Sequence, residues 1–313
     1  MLWQRLFFGG ILIAALVGLI YADDAMSASS FASTAPALLR RVGMVRCDGL
    51  IVTGVLTLLV VLGTVELHRL FSAAGHAPLF GWPILANITF VLVPFVAANG
   101  LPGGKAALHA ADLQYTIVII VIAFLGAALL TAARRKTPGA VGTLGTTLLL
   151  VLYPGLLAPF IVRLRLFGPP GAAWWVLCFI ATVKVCDIGA YFSGLAFGRR
   201  RLIAWLSLGK TIEGLAGGVV ASVLFAVAVS IGIDQFADAD TPARGLFPSL
   251  FAAAGFGAVM ALIGQAGDLF ESLIKRDAGV KDSAAAVPAF GGVMDILDSL
   301  LPAAPLAYWM LLQ

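Results

Sequence analysis

Asp268, Glu271, Ser272 and Lys275 are separated by three, one and three residues, which places all four on one face of a helix. Asp295 and Asp298, again three apart, put a second pair of carboxylates on one side of another helix. With Asp187 and Glu213 they make six acids within or at the edges of apolar stretches, all in the C-terminal half. An ionised carboxylate in hydrocarbon costs on the order of several kcal/mol unless it is paired or faces a cavity. One such acid could be satisfied by a nearby Lys or Arg and merely lock helix packing. Six need more cations than those stretches contain, which favours metal ions. Between the two helices runs a polar loop, 276–290, with Lys281 and Asp282, followed by Gly291 and Gly292. Mg²⁺ takes hard oxygen ligands, typically one or two carboxylates completed by water and substrate phosphates. Lys210, Lys275, Arg276 and Lys281 supply positive charge for a polyphosphate. Gly291 and Gly292 let backbone amides approach an anion at a helix N-terminus. The chemistry this implies is phosphoryl or nucleotidyl transfer at a membrane surface.

The elements that must position these groups are membrane helices. In 313 residues, 61% are hydrophobic and only 12% charged, with a mean hydropathy of +1.02. That is too little charge to clothe a water-exposed surface, and it excludes a soluble domain. Apolar runs near 20 residues recur along the chain without the alternation of a membrane barrel. The expected fold is all-α, a polytopic integral membrane protein of about nine transmembrane helices. Their spans are 2–21, 50–70, 80–98, 115–133, 141–162, 172–197, 211–233, 246–265 and 291–312. Residues 1–165 then hold about five helices of no evident role, and residues 172–313 the four that carry the chemistry. Pro83, Pro94, Pro154, Pro159, Pro302 and Pro305 are expected to kink helices rather than exclude them. A net charge of +4 with no long basic tract gives no reason to expect nucleic acid. The three cysteines and three histidines have no ligand-like spacing and read as ordinary packing residues.

Basic clusters at Arg134–Lys136, at Arg199–Arg201 with Lys210, and at Lys275–Arg276 with Lys281 fall on alternate loops and share one side. By the positive-inside tendency that side is cytoplasmic. The loop with Asp234, Asp238 and Asp240 falls on the other side. Arg40, Arg41 and Arg46 conflict with this scheme, so either residues 25–37 hide a re-entrant piece or the N-terminal helix count is off.

The run Gly267–Arg276, then Gly279–Ser283, Pro288, Gly291–Asp295 and Asp298–Leu300, resembles the CDP-diacylglycerol synthase, or phosphatidate cytidylyltransferase, family. That family's motif reads S-x-x-K-R-x(4)-K-D and then P-G-H-G-G-x-x-D-R-x-D. A weaker stretch, Asp187–Phe192 through Gly198-Arg199, Ser207, Lys210-Thr211 and Glu213-Gly214, is similar to its D-x-G-A-Y and S-P-K-K-T-x-E-G pattern. The resemblance implies transfer of CMP from CTP to phosphatidic acid in phospholipid biosynthesis. The family's site lies at the cytoplasmic face of the inner membrane. Mg²⁺ is the implied cofactor, with K⁺ a candidate second cation. It assigns Asp268, Asp295 and Asp298 as metal and catalytic carboxylates and Lys275, Lys281 and Asp282 as catalytic neighbours. Lys210, Lys275, Arg276, Lys281, Gly291 and Gly292 fall to phosphate binding. CTP, phosphatidic acid and membrane lipids are the implied partners, with a homodimer left open.

Ala289, Phe290 and Ile296 depart from the motif's Gly, His and Arg, and Leu208-Gly209-Lys210 replaces P-K-K. Asp187 and Glu213 also read as helix anchors paired with Lys184 and Lys210, and Glu271 and Ser272 as supporting residues. Other readings stay open. Buried acids in broken helices also describe an ion-coupled transporter, although no matching acid set repeats in the first half. A CTP-dependent transferase for another lipid phosphate, or a catalytically silent homologue, would carry the same motif.

Overall fold

The computed structural model describes residues 2–28, 47–100, 105–135, 137–169, 171–236, 246–280 and 291–312. The apolar runs fold as helices: α1 (Leu2–Ala28), α2 (Leu50–Ala73), α3 (Gly81–Gly100) and α4 (Lys105–Ala133). Next come α5 (Ala140–Val151), a π-helical turn over Leu152–Leu156, and α6 (Pro159–Phe167), which together form one span. Pro154 sits inside the π turn, where a residue without an N–H tolerates the slipped ladder. Pro159 opens α6, where no intrahelical N–H is needed. Then follow α7 (Ala172–Phe197), strands β1 (Arg201–Ile203) and β2 (Ser207–Thr211), α8 (Ile212–Phe236) and α9 (Leu250–Asp277). The chain closes with α10 (Met294–Leu297) and α11 (Leu300–Leu311).

The protein is a polytopic α-helical bundle. Among the described residues seven spans are long and apolar enough to cross a membrane, and α1, at 27 residues, has the length to do so. The ninth expected span is different. Instead of one helix over 291–312, the four residues of α10 lead into α11, whose 12 residues reach only about 18 Å. This short segment survives because it is wrapped by protein: Leu301, Ala303, Ala304 and Ala307 are completely or almost completely buried, against α6, α7 and α9. The eighth span is also longer than its apolar run. Helix α9 continues past Gln265 to Asp277, because the polar residues of its last three turns face partners inside the bundle.

Two further expectations are corrected. The α7–α8 connection is an antiparallel hairpin, the only strand pair among the described residues, with Arg201 opposite Thr211 and Ile203 opposite Ser207. Buried acids are not confined to the C-terminal half, since Asp23, Glu66 and Asp112 are buried too. Two of them form ion pairs with α6: Asp112 with Arg163 at 2.8 Å and Asp23 with Arg165 at 2.6 Å. Residues 29–46, with Arg40, Arg41 and Arg46, lie outside the described residues, as do Asp238 and Asp240.

One continuous core joins both halves of the sequence, from Leu56, Val60 and Leu67 on α2 to Met294 and Leu301. Successive spans alternate in direction, so α2, α4, α7 and α9 all end at the same end of the bundle. The loops there touch: His76 Nε2 lies 3.7 Å from Asp277 Oδ2, and Arg134 Nη1 donates to the Ala77 carbonyl at 2.9 Å.

Candidate active site

The site forms where α9 meets the α10–α11 break. Gly264 and Gly267 make this approach close: a methyl group at Gly267 would collide with the Asp298 carbonyl and with Pro302. The next turns of α9 then present Asp268, Glu271 and Lys275 to α10. Lys275 Nζ lies 2.9 Å from Glu271 Oε2 and 2.6 Å from Asp295 Oδ1. Glu271 is fully buried, and its second oxygen, Oε1, has no hydrogen-bond partner. Asp298 is 5% exposed, its carboxyl contacts Glu271, and it feels the charges of Asp268, Asp187 and Lys184. Lys210, carried on β2, pairs with Asp268 at 2.7 Å. On α7, Asp187 pairs with Lys184 at 3.5 Å and accepts from Gln265 Nε2 at 3.0 Å. Two helices, a hairpin and the chain's last turns thus bring Asp187, Asp268, Glu271, Asp295 and Asp298 into one cluster with Lys184, Lys210 and Lys275.

Other residues singled out in the sequence sit elsewhere or are already engaged. Glu213 accepts the amides of Arg199 and Arg200 and so closes the entry to the hairpin. The sequence pairs it with Lys210, but that ammonium is on Asp268. Arg276 staples the hairpin to α9, donating to the Leu206 carbonyl at 3.3 Å and to Val280 at 3.3 Å. The amides at the start of α10 are occupied by the chain's own acids. Gly292 N donates to Asp295 Oδ2 at 2.6 Å, and Val293 N and Met294 N donate to Glu66. Gly291, at φ +90°, makes the left-handed step into this turn. Ser272 is half-buried on α9 and Ile296 half-buried on α10. Lys281, Asp282, Ala289 and Phe290 lie outside the described residues.

Glu66 and Tyr153 escape a reading of the sequence, whereas Lys184 is legible there as the partner of Asp187. Glu66 is an acid inside an apolar span, the same signal that singles out the other six. Lys184 stands three residues before Asp187, the helical spacing of an ion pair, and also donates to Ser299 Oγ at 2.8 Å. Tyr153, in the π turn, donates its hydroxyl to the Asp298 carbonyl at 3.3 Å. No local pattern marks Tyr153, because its partner is 145 residues away.

Five carboxylates against three ammonium groups leave the cluster short of positive charge. Its donors are all hard oxygens, and one buried carboxylate oxygen is orphaned. Among the described residues no three metal-type side chains converge to hold an ion alone. One or two carboxylates completed by water and phosphate is the usual Mg²⁺ arrangement, so the residues present fit such an ion. Ammonium groups and hard carboxylates beside an apolar bundle suit a polyphosphate and a second anionic group brought together at the bilayer edge.

Comparison with known proteins agrees. The sequence model of the cytidylyltransferase family matches residues 32–313. The phosphatidate cytidylyltransferase of Chlamydia pneumoniae is 31% identical over 258 residues, covering 80% of this chain and 79% of the relative. That of Bacillus subtilis is 28% identical over 286 residues, covering 83% of this chain and 96% of the relative. That of Chlamydia muridarum is 33% identical over 186 residues, 58% of each chain. The match runs through the helices and the carboxylate cluster alike: the chain belongs to the cytidylyltransferase family.

Proposed function

We propose that the protein moves CMP from CTP to phosphatidic acid, giving CDP-diacylglycerol and pyrophosphate at the cytoplasmic face of the inner membrane. The observation that carries this reading is the cluster of five carboxylates and three lysines at one end of a membrane bundle, in a chain whose relatives are named phosphatidate cytidylyltransferases. The basic loops at that same end favour the cytoplasmic side, where CTP is found.

In this reaction a phosphate oxygen of phosphatidic acid attacks the α-phosphorus of CTP, and the bond to the β-phosphate oxygen breaks. The nucleophile is ionised at neutral pH, so no side chain need take its proton. The barrier is electrostatic, because two polyanions must meet and charge grows on the departing pyrophosphate. Lys275 is held from two sides by Glu271 and Asp295, so its ammonium is fixed in place before substrate arrives. Lys210, on the hairpin, pairs with Asp268, and Lys184, on α7, reaches Ser299 beside Asp298, which places positive charge next to both carboxylates. Arg276, and Lys281 by the family resemblance, would add to the attraction for phosphate. Asp268 and Asp298, with Asp295 beside them, would hold Mg²⁺, and K⁺ is a candidate second cation. When bound, the metal supplies charge neutralisation and orientation of the phosphates. The substrate's acyl chains would stay in hydrocarbon while its headgroup reaches the lysines at the end of the bundle.

Pyrophosphate release tests this reading. With CTP and phosphatidic acid, EDTA should abolish release and added Mg²⁺ restore it. Asp268→Asn and Asp298→Asn should fold in detergent yet lose about 100-fold or more in rate. Undiminished release in EDTA, or unchanged rates in both variants, would contradict it.

A further inference from the structure

A cavity apart from the candidate active site opens at the same end of the bundle, and none of the clustered carboxylates lines it. It measures about 390 Å³ and is bounded by Ala77, Thr131, Arg134, Pro138, Ala140 and Thr143. Three independent features converge on it. Thr131, on α4, is 6% exposed, and its Oγ1 is buried without a hydrogen-bond partner. Thr57, Thr64, Thr89, Thr146 and Thr182 spend that hydroxyl on the carbonyl one turn back, and Thr53 is the other buried helical threonine among the described residues whose hydroxyl has no partner. A buried unmade hydrogen bond is costly enough to call for a partner.

Arg134, at the end of the same helix, is exposed and has no carboxylate partner among the described residues. One of its N–H groups, on the Ala77 carbonyl, orients the guanidinium along the cavity rim. The turn that follows is strained. Arg135 is the only non-glycine with positive φ among the described residues, at +52°, a conformation that arginine adopts rarely.

The third feature is the N-terminus of α5. Its cap is Gly139, at φ +76°, which offers no side-chain acceptor, and its first turn contains no acid. The unpaired amides and positive pole of the helix are therefore left without an internal anion. At the start of α10, by contrast, Glu66 and Asp295 fill that role. Around the cavity, Leu129, Leu130 and Val141 expose apolar surface, Val141 at 86%, as befits residues facing lipid.

We propose that this cavity binds a phosphate group at the membrane surface, with Arg134, the Thr131 hydroxyl and the α5 N-terminus as donors. A guanidinium, a hydroxyl and a helix N-terminus are the donor set of phosphate recognition, and no acid lines the cavity to oppose an anion. The group is carried by a phospholipid or is free phosphate. The site is separate from the carboxylate cluster and does not depend on the reaction assigned there.

The test is native mass spectrometry of the full chain in detergent micelles, titrated with phosphatidylglycerol, with diacylglycerol or with inorganic phosphate. The wild type should bind one more phosphatidylglycerol than the double variant Thr131→Val with Arg134→Gln. Ala140→Asp is a second variant, since an acid suits the first turn of a helix and here brings negative charge to the cavity. It should weaken the same binding by about tenfold or more. Displacement of the lipid by inorganic phosphate would show that the phosphate group alone is recognised. Failure to displace it would show that a lipid headgroup is required. Equal lipid counts and affinities in wild type and both variants would overturn the proposal, as would diacylglycerol binding as tightly as phosphatidylglycerol.

Discussion

The carboxylate of Glu66, on α2, accepts the backbone amide of Met294 at 2.8 Å, across 228 residues of sequence. The same carboxylate takes the Val293 amide at 2.9 Å. An acid from the first third of the chain therefore caps the helix that carries Asp295 and leads into Asp298. Tyr153 holds the Asp298 carbonyl from the middle of the chain. Through these two residues the N-terminal helices fix the backbone on which the clustered carboxylates stand.

Glu66→Ala would strand two buried amides at a helix N-terminus. The expected loss of stability is about 3–5 kcal/mol, with Glu66→Gln losing less because one acceptor oxygen remains. Thermal unfolding in detergent reads both. A loss for Glu66→Ala no larger than that of an ordinary surface change would remove Glu66 from this role.

Gly267 sits where α9 touches the Asp298 backbone, so Gly267→Ala must push the two helices apart. Overpacking of this kind costs about 1–3 kcal/mol, and the shifted carboxylates should cost more in turnover than in stability. A Gly267→Ala protein with full activity would show that the spacing of α9 and α10 is not critical.

The Asp112–Arg163 pair is buried on both sides, at 8% and 5% side-chain exposure, and Thr116 Oγ1 accepts a further bond from Arg163 at 2.6 Å. Asp112→Leu alone should destabilise by about 3–5 kcal/mol, because it leaves a buried guanidinium unpaired. Adding Arg163→Met should recover most of that loss. Unfolding midpoints of the two variants decide the matter, and a double variant weaker than the single one would contradict it.

What the sequence makes legible follows from the range of each interaction. The three-residue spacings of Asp268, Glu271 and Lys275, and of Asp295 and Asp298, are local, and the structure brings these side chains together. Hydropathy alone ends α9 at Gln265, and only the helical spacing of Asp268, Glu271 and Lys275 marks the turns beyond it, which ion pairs to other elements sustain. The short α11 reads as part of a full span because hydropathy cannot separate a helix facing lipid from one wrapped by protein. The amides after Gly291 read as open to a phosphate, and only the fold reveals that Glu66 and Asp295 hold them. The hairpin eludes a sequence reading because Ser207–Thr211 is too short to show alternation.

The most direct measurement is the identity of the product formed by purified protein from CTP labelled at the α-phosphate, Mg²⁺ and phosphatidic acid. The expected result is label in a chloroform-extractable CDP-diacylglycerol, with one pyrophosphate released for each lipid made. Folded protein that makes no CDP-lipid from any lipid phosphate would contradict the proposed function. If Phe290→His with Ile296→Arg then switched on strong activity, the chain would be a silenced member of its family rather than a working enzyme.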